Sequence, residues 1–273
     1  MLAPPRNHRW ATLRALPTLV RIGIAEAVAY RAEMFVWILT TSMPFVMLAL
    51  FTAVGRERPL GTFDEQGFAA YFLVTFIIRQ FVTSWASWEI NFEVRTGTLA
   101  MRLMRPVNPI LCYAIENLAA MPIRLIIAAP VAIVALTLVR EDQLPPDFLG
   151  WLMFFVSWTG AWFLSFLINV IFGTLSLWLD QSMKLMDVWM AGYLAFSGYL
   201  VPIALFPAGL REAVQWLPFH SQIGLPIELL LGTHPRAEAA ALLAVQWGWI
   251  ALTGLLVWAL WRRGVRRFAA YGG

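Results

Sequence analysis

Few side chains in this sequence have a type and spacing suited to chemistry, and the most demanding of them sit inside apolar runs. Arg79 lies between Ile78 and Gln80 in one such run, while Glu116 and Arg124 lie in another, in the stretch ENLAAMPIR around Pro122. An arginine at the centre of a membrane helix costs about 2.5–3.5 kcal/mol on insertion scales, so it must face protein or water and find a partner. Glu116 is the acid expected to serve Arg79 or Arg124. A pair between Glu116 and Arg124 within one straight helix is disfavoured, because their spacing corresponds to about 12 Å of rise. These charges read as an ion pair pinning two helices, or as a polar lining or gate latch.

The remaining reactive types form no catalytic set. His8, His220 and His234 are scattered without metal-ligand spacing, and Cys112 is the single cysteine, which removes disulfide frameworks and thiolate clusters. Asp180 and Lys184 fall at i, i+4 and read as a surface pair, with Asp187 close by. No serine–histidine–aspartate set can be assembled, so neither a catalytic nor a metal site is expected. Lys184 is the one lysine and Leu185 follows it. A phosphate-cradling loop needs Gly-Lys-Ser/Thr, so any ATP and Mg²⁺ used must be held by a separate chain.

These residues are positioned by a chain that is 60% apolar and 13% charged over 273 residues, with a mean hydropathy of +0.69. Soluble domains carry roughly 25% charged residues, and apolar runs of about twenty residues recur along the length, which predicts an all-α integral membrane protein. The runs place six transmembrane helices at 34–54, 68–88, 110–139, 149–172, 184–204 and 243–261. Residues 17–33 mix charge and apolar positions at helical spacing and predict an interfacial helix. The stretch 205–242 is broken by Pro207, Pro218, Pro226 and Pro235 into pieces too short to cross, so it predicts external interfacial or re-entrant helices. Arginines interrupt the first thirty residues, so no cleavable signal peptide is expected. No repeat at a fixed period appears and no soluble domain separates, so 1–273 reads as one transmembrane domain.

Orientation follows from the basic residues. Arg6, Arg9, Arg14, Arg21 and Arg31 precede the first span; Arg95, Arg102 and Arg105 lie within 89–109; Lys184 ends the 173–184 turn at the start of the fifth span, and the tail reads RRGVRRF. The alternate loops carry Arg56, Arg58, Arg140, Arg211 and Arg236 and are acidic overall. The positive-inside rule puts both termini in the cytoplasm. The same rule explains the net charge of +4 and a pI near 9.6 as topology signals and not as a nucleic-acid footprint.

The stretch between the second and third spans is the most informative. It reads Glu93-Val94-Arg95-Thr96-Gly97-Thr98-Leu99, then Leu103-Met104-Arg105-Pro106-Val107. Gly97 between two threonines suits a sharp turn, and Leu99, Leu103 and Met104 have the spacing of a short helix with apolar knobs. This resembles the coupling region of ABC-2 type transporter permeases, in which an Arg-Gly/Thr-Gly-Thr-Leu stretch precedes a leucine and a Pro-Val/Ile pair. The wording LMRPVNP is similar to a bacterial subfamily with Leu-Leu-Arg-Pro-Ile/Val-Asn at this point. The motif covers 93–107; the architecture covers nearly the whole chain.

The resemblance implies a permease in the bacterial inner membrane, paired with a second permease chain, the same or different, and with two ATPase subunits that carry ATP and Mg²⁺. Family members export drugs, lipids or glycoconjugates. It also implies that 89–109, with Glu93, Arg95, Thr96, Gly97, Thr98, Leu99 and Leu103, docks on the ATPase. Met186 and Met190 fall on one stripe of the fifth span with Tyr193 and Ser197 beyond, and Met43 and Met47 pair on the first. Adaptable thioethers suit a path for variable amphiphiles, and ordinary helix packing gives the same stripe. Two other readings stay open: an ion- or proton-coupled secondary transporter using Arg79 and Glu116, and a membrane enzyme acting on lipids with His220 or His234 as base.

Overall fold

The computed structural model describes residues 17–25, 29, 42–61, 63–139 and 144–271. Residues 17–25 are helical, and Gly23 lies so close to Ala119 that a side chain there would collide with it. Most of 26–33 and all of 34–41, parts of the expected interfacial helix and first span, lie outside the described residues. The elements that follow are α1 (Met43–Glu57), α2 (Glu65–Val82), α3 (Ala86–Thr96), α4 (Leu99–Leu103), α5 (Pro109–Ala119), α6 (Met121–Leu138), α7 (Phe148–Leu175), α8 (Ser182–Phe196), α9 (Ala208–Gln215), α10 (Gly224–Leu230) and α11 (Arg236–Tyr271). Among the described residues there is no strand.

Local chemistry sets the boundaries. Asp64 caps α2 by accepting from the Gly67 amide at 2.7 Å, and Asp147 caps α7 by accepting from Gly150 at 3.0 Å. Asn108 caps α5, with Pro109 in the first turn where a missing N–H costs nothing. Gly97 ends α3 at φ 76°, a left-handed cap that residues with a side chain adopt poorly.

Helix α7 is apolar on all sides and is the hub: α11, α3, α10, α8 and α2 all pack on it. Gly173 lets α3 approach, since a side chain there would meet the Ile90 Cβ at 2.8 Å. One core gathers Phe68, Tyr71 and Phe72 of α2 with Ile223, Leu225 and Ile227; a second gathers Ile90, Leu99, Tyr113, Trp162 and Trp261.

Four stretches among the described residues are long and apolar enough to cross a membrane: Glu65–Thr96, Pro109–Ile126, Phe148–Leu175 and Arg236–Phe268. Helices α1 and α8 have 15 residues each, about 22 Å, shorter than the usual hydrocarbon core. Three expected spans are corrected here. The expected second span is interrupted at Thr83–Trp85, and the third at Ala120. The last helix begins at Arg236 and not 243, so the end of the expected external segment is its first two turns.

Candidate functional site

Two regions bring the sequence-predicted residues together. At the end of the bundle that carries Arg95, Arg102 and the arginine tail, here the basic end, α3 runs to Gly97, turns, and α4 folds back. Thr96 Oγ1 lies 2.8 Å from Thr98 Oγ1 across the turn, and Thr96 also donates to the Phe92 carbonyl. Arg95 donates to the Asp180 carbonyl, tying α3 to the α7–α8 turn.

The strongest contact is one that sequence spacing does not reveal. Arg102 reaches Glu93 at 2.6 Å and Glu116 at 2.8 Å, and lies over the Tyr113 ring at 4.1 Å. Tyr113 Oη donates to Glu93 at 2.5 Å. Burial alone would lower the Arg102 pKa, but its bonds to both acids hold it above the ordinary arginine value. A guanidinium fork shared by two carboxylates locks α3, α4 and α5 into one unit.

This geometry corrects three expectations. Glu116 is engaged by Arg102, whereas Arg79 and Arg124 bond elsewhere. Leu99 is 0% exposed in the second core and Leu103 is packed against that core, so these two are not surface knobs. The apolar side chains presented outward here are Met101 of α4, 59% exposed, and Met104 at its C-cap, 77% exposed.

The second region lies between α2, α7 and α8. A cavity of about 80 Å³ is lined by Arg79, Ser165, Asn169, Met186, Met190 and Tyr193, among others. Arg79 Nη1 donates to Tyr193 Oη at 2.9 Å, and the guanidinium lies 5.3 Å from the Tyr193 ring centre and 5.0 Å from that of Tyr199. Arg79 Nε is buried without a partner. Of the predicted path residues, Met186, Met190 and Tyr193 are therefore at one place with Arg79. Ser197 is buried and accepts from the Tyr199 amide, while Met47 packs in the first core and Met43 is exposed on α1.

Arg124 donates from Nη1 to the Thr83 carbonyl at 2.8 Å and lies 4.0 Å from the Trp85 ring centre. Asn117 Oδ1 accepts from Ser84 Oγ and the Trp85 amide, each at 3.1 Å. Side chains beside the Ala120 break thus satisfy the backbone that the Thr83–Trp85 break frees, as apolar surroundings require.

At the opposite end, α10 is buried against α7 and α2, whereas α9 is largely exposed. The expected external stretch is therefore half surface and half insertion. His220 and His234 both bond Glu228 Oε2 at 2.8 Å, and His234 Nδ1 reaches Glu238 at 3.0 Å. Burial alone would raise the Glu228 pKa; His220, by charge and hydrogen bond, and then His234 drive it below the ordinary carboxylate range. Burial lowers the His234 pKa, but Glu228 and Glu238 carry it above 6.5. His220 is 0% exposed, so it holds the segment together and presents no base to a substrate at the surface of this chain. Sequence reading missed Arg102, Tyr113 and Glu228 as cluster members, since their partners lie on other elements.

Residues 32–272 match a family model described as ABC-2 family transporter protein. No curated protein matches the chain.

Proposed function

Since the chain belongs to the ABC-2 transporter family, we propose that it is the transmembrane permease subunit of an ATP-driven exporter of a hydrophobic or amphiphilic compound. In this reading six spans cross a bacterial inner membrane and both termini are cytoplasmic. A second permease chain completes the pathway, and two ATPase subunits carry ATP and Mg²⁺. The chain performs no chemistry of its own; it converts the ATPase cycle into a change of the passage between the two permeases.

The observation that carries this reading is the α3–α4 turn. A power stroke needs a rigid element with apolar side chains to insert in the partner's groove. Arg102 supplies the rigidity and Met101 and Met104 supply the knobs. The secondary-transport reading uses Arg79 and Glu116 together, but Arg79 bonds Tyr193 while Glu116 serves Arg102. The lipid-enzyme reading needs a free histidine base; His220 is buried on Glu228, and His234 has both ring nitrogens engaged, by Glu228 and by Glu238.

Co-purification tests the proposal. The full chain is isolated from its native membrane and the accompanying chains are identified. An ATPase is expected with the parent protein and absent with the pair Met101→Asp and Met104→Asp; recovery of no ATPase with the parent would overturn the reading. Labelling of Gly209→Cys, and not Met104→Cys, from outside intact cells checks the orientation.

A further inference from the structure

We infer that the cavity around Arg79 seats the negatively charged headgroup of the transported amphiphile, with Arg79 as its countercharge. The inference rests on the exporter reading for its use, but the site is argued from its own chemistry. Arg79 is a permanent cation in an apolar bundle, and among the described residues its bonded partners are neutral: the Tyr193 hydroxyl and the Tyr193 and Tyr199 rings. Ring faces offset part of the charge without removing the demand for an anion. Nε remains a buried donor with nothing to receive it.

The walls support one class of ligand. Asn169 is held in place by its bonds to the Ser165 carbonyl and to Ser87, and Arg79 Nε is the lining donor that is buried with no partner among the described residues. Met186, Met190 and Trp189 form an apolar and adaptable side. An acceptor-rich anionic group with an alkyl continuation satisfies both: a phosphate or carboxylate headgroup on a chain.

Depth agrees. Met186 and Tyr193 lie four and eleven residues along α8 from Ser182, about 6 and 16 Å from its basic end. Half the hydrocarbon thickness is about 15 Å. The cavity therefore reaches from the half of the bilayer next to the basic end, where Met186 lies, to about the midplane, where Tyr193 holds Arg79; in the proposed orientation that half is the inner leaflet, the side from which an exporter loads.

The test is native mass spectrometry of the full-length chain in dodecyl maltoside, titrated with dodecyl phosphate, with dodecyl phosphocholine and with sodium phosphate. Dodecyl phosphate should bind tightest. Arg79→Gln should weaken it about ten- to a hundredfold, as loss of a charge-assisted bond implies, and Arg79→Lys should stay within about tenfold of the parent. If Arg79→Gln fails to insert, Met190→Trp, which fills the cavity and keeps the charge, should weaken binding in its place. Equal binding of dodecyl phosphate by the parent and by either cavity variant would overturn the site. Equally tight binding of sodium phosphate would overturn the amphiphile class. The measurement needs no ATPase, so Arg79-dependent binding without an ATPase partner would sink the exporter reading alone, and the reverse result would sink this one alone.

Discussion

At the basic end one cation serves two acids, Arg102 between Glu93 and Glu116; at the opposite end one acid serves two imidazoles, Glu228 between His220 and His234. Both clusters fasten a short helical segment to the bundle, and both are largely withdrawn from solvent. The difference lies in what titrates. A guanidinium keeps its charge at every pH a cell meets, so the α3–α4 turn is fastened permanently. The His234 imidazole loses its charge as pH rises through a folded pKa held above 6.5, so the fastening of α10 depends on pH. The end proposed to dock the ATPase is held by a charge that no cellular pH removes, and the opposite end is held in part by one that pH can remove.

The comparison is most directly broken at Arg102. Arg102→Ala leaves Glu93 and Glu116 facing each other without their cation, and should destabilise the protein by about 3 kcal/mol, the low end for a lost buried partner. Adding Glu93→Gln and Glu116→Gln should recover most of it, measured by thermal unfolding in detergent. An unstable triple variant would mean that Arg102 acts by packing on Tyr113 and not by charge.

Glu228→Gln is the matching change at the other end. It removes the charged acceptor of two histidines and should destabilise by about 2 kcal/mol, within the range for hydrogen bonds to charged groups. Hydrogen exchange should speed in 208–230 and stay unchanged in 86–103. Equal speeding in both stretches would show that the ends are not independent.

A smaller effect is expected from pH. The folded pKa of His234 is raised above 6.5, so its contribution is complete below 6.5 and is lost as pH rises through the folded value. Glu228, whose pKa is depressed, contributes above its ordinary 4.5 and loses that only as pH falls through its lowered value. Glu228 and Glu238 face His234, His220 shares Glu228, and Tyr71 feels the Glu228 charge. Protection of 208–230 should therefore fall between neutral and alkaline pH, while that of 86–103 holds. A pH-independent profile at both ends would remove the contrast.

The smallest effect on stability should come from Met104→Asp, within about 0.5 kcal/mol, because the side chain is at the surface. Leu99→Asp, aimed at a buried position, should instead prevent folding. ATPase binding lost in the first variant with unchanged stability would sharpen the division between what α4 presents and what it buries.

The contrast between Leu99 and Met104 also shows how far sequence reading reaches. Helical character, the apolar stretches and the cap at Gly97 follow from local patterns. Helix α4 has only five residues, so apolar spacing locates knobs at 99 and 103 without saying which side the bundle covers. Arg236 begins α11 behind a polar first turn with Glu238, which hides the helix start from a hydropathy reading. Arg79 and Arg102 find partners across the fold, and the energetic rule that each needs one does not say which.

The paired breaks at Thr83–Trp85 and Ala120 act as one joint, because each is stitched to the other through Arg124 and Asn117. Beyond the joint α3 is about 16 Å long, so a tilt of about 10° displaces its far end by about 3 Å. Thr83 and Ser84, at the pivot, are also wall residues of the Arg79 cavity. If the proposed ATPase pushes on the α3–α4 turn, this geometry would gear its stroke down to a small movement at the wall of the Arg79 cavity.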